Sequence, residues 1–579
     1  MPDQRTLPGK WRYNVVFGLL ILAVAALGVR LVLLINNCPV DAADLAEKQQ
    51  RRVIKLPARQ GVIFARTRGG YVPLAVSRQV PSCYVDPFIL RAEEIGDTAV
   101  AVGQVLGLDP VAVQEKLIRR RRARFVWLKR RITPAEVEGI RRLRNRAVGI
   151  QYEWRRHYPN GQLASTVVGF CNHESAAGGG LELAMYEHIA ASDGRRVVLT
   201  DARRRPIWPL PEQSSLPQDG RNVFLCLDAV VQGFLEQAVR ESVETFSAKW
   251  GTGIVVRPRT GEILAMCSVP MFDPNTFNRA TPASRTNRAI TMPYEPGSAI
   301  KPIFAAAAVE AGAADYKTQI FCENGSYRAH RGGRISDHGQ NYGHLSLTDV
   351  VVYSSNIGMA KVGERLGNSR LHEAARGFGF GAKLGVELPG ESGGILRPLA
   401  KWNGYSLRRV PFGQEISCTA LQLTMAFSSL ANGGLLLRPY LVDRVTNADG
   451  QVVYHSRRQV VRRVLSRPVA DQSLEVLRQV VERGTGKACR MKYWTSFGKT
   501  GTAQISGPGG YAEGAYVGSF IGGAPARTPQ AVCLISIYWP DRSRGYYGAK
   551  VAAPYVKDVL ERTLSYLNVP PDKNTYACR

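Results

Sequence analysis

With 579 residues the chain is longer than one ordinary core accommodates, and its 45% hydrophobic content excludes a disordered polypeptide. A formal net charge of +29 calls for an anionic neighbour, yet no segment resembles a nucleic-acid-binding motif, so nucleic acid is set aside in favour of a membrane surface or an acidic polymer. Ten cysteines scattered singly and eight histidines without ligand spacing exclude a disulfide framework and a zinc site, while leaving individual cysteine pairings open.

The chain opens with Arg5, Lys10 and Arg12 against Asp3, followed by an apolar run from Val15 to Ile35 broken only by Arg30. At about 1.5 Å per residue, a helix of that length crosses a bilayer core of about 30 Å. The basic flank predicts a cytoplasmic N-terminus and an exported remainder. Ala23-Val24-Ala25 resembles a signal-cleavage site, but the apolar run continues past it to Ile35, which favours an uncleaved anchor. Arg30 lies near the outer end, where it can snorkel to the headgroups.

From residue 36 to about 215, short strand-like and helical pieces alternate among many arginines. The run Arg119 to Arg124, with Lys129-Arg130-Arg131 behind it, reads as a solvated face or as a contact for anionic lipid or wall polymer. The proline-rich stretch Pro206 to Pro211 punctuates the chain like a domain border. Beyond it, Val223 to Leu227 reads as a strand and Asp228 to Thr245 as an amphipathic helix. Gly253 to Arg257 and Glu262 to Cys267 read as a strand pair joined at Thr260-Gly261. Tyr516 to Ile521 and Ala531 to Tyr538 read as further strands, and Tyr555 to Leu567 as a closing helix. Strands at both ends of a segment with helical middle parts predict an α+β domain, an antiparallel sheet with helices packed on it.

Three short strings within this second half carry chemistry. Ser298-Ala299-Ile300-Lys301 follows the turn residues Glu295-Pro296-Gly297 and leads a helical run to Ala313, which puts Ser298 at a helix N-terminus with Lys301 on the same face. A lysine can accept a proton near neutral pH only if burial or a second positive charge lowers its pKa, and Lys499 is the candidate for that charge. Ser354-Ser355-Asn356 lies between helical patterns at Leu347 to Val352 and Ile357 to Leu366, the latter stopped by Gly367. There Ser354 can relay a proton to a leaving amine, and Asn356 can hold a peptide amide. Lys499-Thr500-Gly501-Thr502 reads as a strand edge. Gly501 allows close backbone approach, Thr500 and Thr502 with Lys499 suit a free carboxylate, and a peptide can add alongside as an extra strand. The backbone N–H groups of Ser298 and Thr502 would form an oxyanion hole. Each string alone is commonplace, since Ser-x-x-Lys is expected roughly once or twice by chance in such a chain. All three, in this order and local setting, specify acyl transfer through a serine ester without metal or cofactor.

These residues resemble the class B penicillin-binding proteins, monofunctional peptidoglycan D,D-transpeptidases. The resemblance extends through Leu227-Asp228, Thr260 to Met266, Asp273-Pro274-Asn275, Tyr294 to Ser298, Phe412-Gly413-Gln414, Gly484 to Lys487 and Val551 to Pro554. It continues more loosely in Pro57-Ala58-Arg59, Leu128-Lys129-Arg130, Arg156 to Pro159 and Gly180-Leu181-Glu182. It implies a cytoplasmic tail at 1–14, a transmembrane anchor at 15–35 and a non-catalytic, dimerisation-like pedestal at 36–215. A serine β-lactamase-like transpeptidase domain at 222–567 and a tail at 568–579 follow. It further implies that Ser298 is acylated by the penultimate D-Ala of a stem peptide ending in D-Ala-D-Ala, that a neighbouring amine resolves the ester, and that β-lactams acylate the same serine.

Asn356 in third place is similar to the septal, FtsI-type members rather than the elongation type, which more often carries aspartate there. The implied partners are the lipid bilayer, a polytopic SEDS-type glycan polymerase and other division proteins. A D,D-carboxypeptidase or β-lactamase-type hydrolase uses the same strings, but the anchor and large pedestal favour wall synthesis. Arg257, Glu415, Ala549 and Ala65 depart from the family pattern. The first three are expected around the sheet, where they would alter substrate fit or β-lactam sensitivity.

Overall fold

The computed structural model describes residues 9–36, 50–172, 174–201, 206–329, 333–507 and 510–573. Arg5, Asp3, Cys38, Cys578 and the end of the C-terminal tail lie outside the described residues. The apolar run folds as one helix, Lys10–Asn36, longer at its start than the hydrophobic pattern because Lys10 to Asn14 are compatible with helix and precede it without a breaker. Its 27 residues extend about 40 Å and are exposed throughout, so the helix is long and apolar enough to span a bilayer.

The chain packs as two units, one comprising residues up to Ala58 with Ser192–Gln218, the other Arg59–Ala191 with Asp219 onward. In the first, Gly194–Thr200 is the central strand of a three-stranded antiparallel sheet, flanked by Arg51–Leu56 and Pro206–Ser215. The proline-rich stretch, close to the border between the units at Gln218 and Asp219, is itself an edge strand. Pro206, Pro209 and Pro211 have no N–H to donate, which an edge position tolerates and a central one does not. Lys55 pairs with Asp193 at 2.6 Å, and Asp193 also accepts from the backbone N–H of Ala58.

Among the described residues the second unit holds two large sheets, besides four two-stranded ones. In a seven-stranded mixed sheet, Ile63–Thr67 runs parallel to Asn222–Asp228 and antiparallel to the long strand Gly70–Val85, so strands from before and after residue 215 share one ladder. Gly70–Val85 also pairs with Val148–His157. Helices Glu94–Leu106, Pro110–Arg119 and Pro134–Arg142 cover this end. The last two begin with Asp109 and Thr133 caps followed by proline at the first helical position. The arginine run at 119–122 is exposed, whereas Lys129 is tied down by Glu136 and by the carbonyl of Leu106.

The five-stranded sheet is antiparallel throughout, in the order Ile263–Val269, Trp250–Val256, Ala531–Tyr538, Gly510–Ala524, Phe497–Gly507. All seven residues of Trp250–Val256 and of Ile263–Val269 are buried, because helices cover both faces. Val255, Ile535 and Ile537 meet Val231, Leu235, Val556 and Leu560 of Ala229–Thr245 and Ala553–Tyr566 on one side. Ile254, Val256 and Leu534 meet Ile303, Phe304, Phe427 and Leu477 on the other. Helix Lys301–Glu310 is buried over Lys301 to Ala308, and its alanines let the surrounding helices close around it. The eight described cysteines are all buried and unpaired.

Candidate active site

Three elements from distant parts of the sequence meet at one cleft. Gly297, at φ +51°, turns the chain into a short 3-10 segment, Gly297–Ile300, which carries Ser298 and runs directly into the buried helix at Lys301. A left-handed residue is required there, and glycine supplies it without strain. Ser355 caps helix Asn356–Gly377 by accepting from the backbone N–H of Gly358, and the preceding Ser354 sits at φ +65°. The predicted stop at Gly367 is a break within that helix, where Gly367 takes φ +75° before the chain resumes helical form. The edge strand Phe497–Gly507 brings Lys499 to Thr502 alongside.

Ser298, Ser354, Asn356, Thr500 and Thr502 line a cleft of about 400 Å³. Beneath it lie Lys301 and Lys499, both fully buried. Lys301 Nζ is 2.5 Å from the carbonyl of Ser354, 2.7 Å from Asn356 Oδ1 and 3.3 Å from Ser354 Oγ. Lys499 Nζ donates to the same Ser354 Oγ at 2.9 Å and lies 3.3 Å from Thr500 Oγ1. Burial lowers the Lys301 pKa to about 7, partly opposed by the charge of Asp337. Burial, followed by repulsion from Lys301, pulls Lys499 well below an ordinary lysine. Two ammonium groups sharing one hydroxyl cannot both stay charged, so the pair releases a proton where isolated lysines would not.

Close packing fixes the strand against the serine. A Cβ on Gly501 would come within 2.4 Å of Ser519 Oγ and 3.1 Å of the Ala299 Cβ. A Cβ on Gly413 would meet the carbonyl of Gly297 at 2.2 Å. Thr500 Oγ1 is 3.0 Å from Thr485 Oγ1, and Thr502 Oγ1 accepts from the N–H of Gly548 at 3.2 Å.

Several residues of the site carry no motif. Asp337 accepts from Ser355 Oγ at 2.7 Å and from the backbone N–H groups of Asn356 and Ile357 at 2.5 and 3.1 Å. A carboxylate at the N-terminus of a long helix is favoured electrostatically, and here it also clamps the loop that carries Ser354. Tyr516, Tyr546 and Tyr547 form a ring stack along one wall, with Arg542 over two of them. A tyrosine pair before Gly548 was the sole trace of this wall in the sequence.

Of the departures from the family pattern, Ala549 lines the cleft. Arg257 instead pairs with Glu262 at 3.2 Å, outside the lining. Glu415 binds Arg397 and Ser406 and gives its N–H to Glu295 Oε1, which supports the turn before Ser298 from behind. Ala65 is fully buried in its strand. Among the described residues no group of three His, Cys, Asp or Glu side chains is placed to hold a metal ion.

The profile of the penicillin binding protein transpeptidase domain matches residues 251–561, and that of the penicillin-binding protein dimerisation domain matches residues 55–225. The probable peptidoglycan D,D-transpeptidase PenA of Neisseria gonorrhoeae is 30% identical over 91% of this chain and 88% of its own length. The probable peptidoglycan D,D-transpeptidase PbpC of Pseudomonas aeruginosa is 31% identical over 97% of this chain and 96% of its own. The crystal structure of penicillin binding protein 3 from Mycobacterium tuberculosis in complex with ampicillin superposes with a TM-score of 0.69 at 26% identity, covering 90% of this chain and 98% of that one. Matched over both halves in sequence and fold, the chain belongs to the class B penicillin-binding proteins and is a serine-family peptidoglycan D,D-transpeptidase.

Proposed function

We propose that this transpeptidase cross-links stem peptides at the division septum, with Ser298 as nucleophile, Lys301 as its base and Ser354 as proton relay. The reading rests above all on the meeting of Lys301 and Lys499 at one hydroxyl, Ser354 Oγ, beside Ser298. As the Ser298 hydroxyl oxygen bonds to the carbonyl carbon of the penultimate D-Ala, its proton passes to neutral Lys301. The negative oxygen of the tetrahedral adduct is met by the N–H groups of Ser298 and Thr502, a contribution of about 100- to 1,000-fold per donor. Collapse breaks the C–N bond, and the departing D-Ala nitrogen takes a proton through Ser354. A second stem's amine then attacks the ester and returns the seryl oxygen to its protonated form.

Asn356 and Lys499 orient the peptide and its carboxylate, while Thr500, Gly501 and Thr502 offer the strand edge beside which it lies. β-Lactams acylate the same serine, in keeping with the ampicillin complex of the mycobacterial relative. The Lys10–Asn36 helix anchors the enzyme with its N-terminus in the cytoplasm and its catalytic domain outside. Residues 36–215 then serve as the pedestal and 222–567 as the catalytic domain. Asn356 in the second string favours a septal role, alongside a SEDS-type glycan polymerase and other division proteins. Labelling with a fluorescent penicillin tests the chemistry: Ser298→Ala should abolish the covalent adduct without lowering the melting temperature. Full labelling of that variant would place the nucleophile elsewhere. A fluorescent fusion distributed along the lateral wall would refute the septal assignment.

A further inference from the structure

A second cavity, of about 590 Å³, opens away from the catalytic cleft, where the pedestal strands meet the segment around Asn275. Arg78, Arg131, Arg155 and Arg156 line it, together with Asn275 and Phe277. Its construction is unusual for a structural crevice. Arg78 and Arg155 stand directly opposite each other in the antiparallel pairing of Gly70–Val85 with Val148–His157. Like charges in that relation repel unless something between them is negative. Arg131 holds a left-handed backbone at φ +59°, uncommon outside glycine, with its N–H given to Ser82 Oγ.

The deeper two arginines are only partly satisfied. The Arg156 side chain is 2% exposed; its Nε donates to Glu182 at 2.5 Å and its Nη1 to the carbonyl of Gly61, but Nη2 has no acceptor. The Arg155 side chain is 9% exposed and lies 3.6 Å from Glu153, which it shares with Arg130, while its Nε has no acceptor. Buried N–H groups of charged side chains are seldom left without partners. Among the described residues, the carboxylates paired with Arg130, Arg155 and Arg156 are Glu153 and Glu182, and with Arg78 these make four guanidinium groups against two carboxylates. The balance calls for an anion carrying at least two charges, and planar guanidinium forks match the oxygens of a phosphoryl group. Phe277, Pro81 and Ile132 add an apolar wall.

We infer that this cavity is a binding site for a phosphate or diphosphate group, distinct from the catalytic cleft. Such a group reaches an exported domain either free in solution or at the head of a lipid-linked molecule, and the chemistry is common to both.

Calorimetric titration of the full chain in detergent, in metal-free buffer at low salt, tests it with inorganic diphosphate and with farnesyl diphosphate as probes. Saturable binding is expected, weakened at least about tenfold by Arg78→Gln and by Arg155→Gln, since each removes one charged contact. Arg78 is exposed, so its variant should melt with the wild type, and it also reports any partition of the prenyl probe into micelles. Tighter binding of the prenyl probe would assign the site to a lipid-linked ligand, and equal binding to a soluble anion. Absence of saturable binding for both probes, or affinities unchanged in both variants, would overturn the inference.

Discussion

Replacing Lys301 by methionine should make the fold less sensitive to acid, even as it removes the proposed base. Burial takes this lysine from an ordinary 10.5 to about 7. Each unit of such a shift corresponds to about 1.36 kcal/mol, so a proton held at this position in the fold costs about 5 kcal/mol. The unfolded chain keeps the proton up to about pH 10.5 and the folded chain only below about pH 7. The penalty is therefore complete below pH 7, shrinks between 7 and 10.5, and vanishes above. At pH 6 it stands near 5 kcal/mol and at pH 9 near 2. Lys301→Met abolishes this titration, while the acceptors it leaves on Ser354 and Asn356 impose a cost that does not vary with pH. Relief of the repulsion on Lys499 acts in the same direction. The stability of the variant relative to wild type should thus be about 3 kcal/mol more favourable at pH 6 than at pH 9. For a domain of this size that is about 4 °C in relative melting temperature. Melting both proteins by intrinsic fluorescence in one detergent at the two pH values reads the difference directly. A gap that is the same at pH 6 and pH 9 would refute the lowered pKa and the reasoning built on it.

The same titration predicts kinetics: acylation by a penicillin should slow about tenfold per unit below pH 7, as protonated Lys301 loses its capacity to accept. A stopped-flow profile flat to pH 5 would contradict this. Asp337→Ala frees the loop that carries Ser354 from three hydrogen bonds and should slow acylation roughly 100-fold, a barrier increase of about 2.7 kcal/mol, while lowering the melting temperature by only a few degrees, so that the protein stays folded at assay temperature. Gly501→Ala forces the strand off Ser519 and Ala299 and should cost about 1–3 kcal/mol of stability together with most penicillin labelling. Glu182→Gln leaves Arg156 without its buried counter-charge and should destabilise the protein by about 3–5 kcal/mol in urea, while the folded fraction acylates at the normal rate.

What the sequence revealed depended on how local each signal was. Ala531–Tyr538 was legible to the residue because a continuous apolar run between turn signals is a buried strand, and the long N-terminal helix because no proline interrupts its apolar run. The three strings that meet at the cleft were legible because each packs its polar groups within four residues. Asp337 was not: its carboxylate reaches residues 18 to 20 positions away, and nothing around it repeats or patterns. That Pro206–Ser215 is a strand was not legible, because prolines signal a break wherever the ladder they border cannot be seen, and only the pairing with Gly194–Thr200 reveals it. The opposition of Arg78 and Arg155 depends on register between two strands, which composition does not encode.

The parallel ladder between Ile63–Thr67 and Asn222–Asp228 has a practical corollary for dissecting this enzyme. A polypeptide begun near residue 220 would carry the whole reactive centre yet strip one flank of Asn222–Asp228, baring a row of amide and carbonyl groups along an otherwise sealed edge. Such a fragment should seek a foreign strand and precipitate, whereas one begun at residue 50 would keep this guard strand, and Arg51–Leu56 beside Gly194–Thr200 as well, and stay in solution.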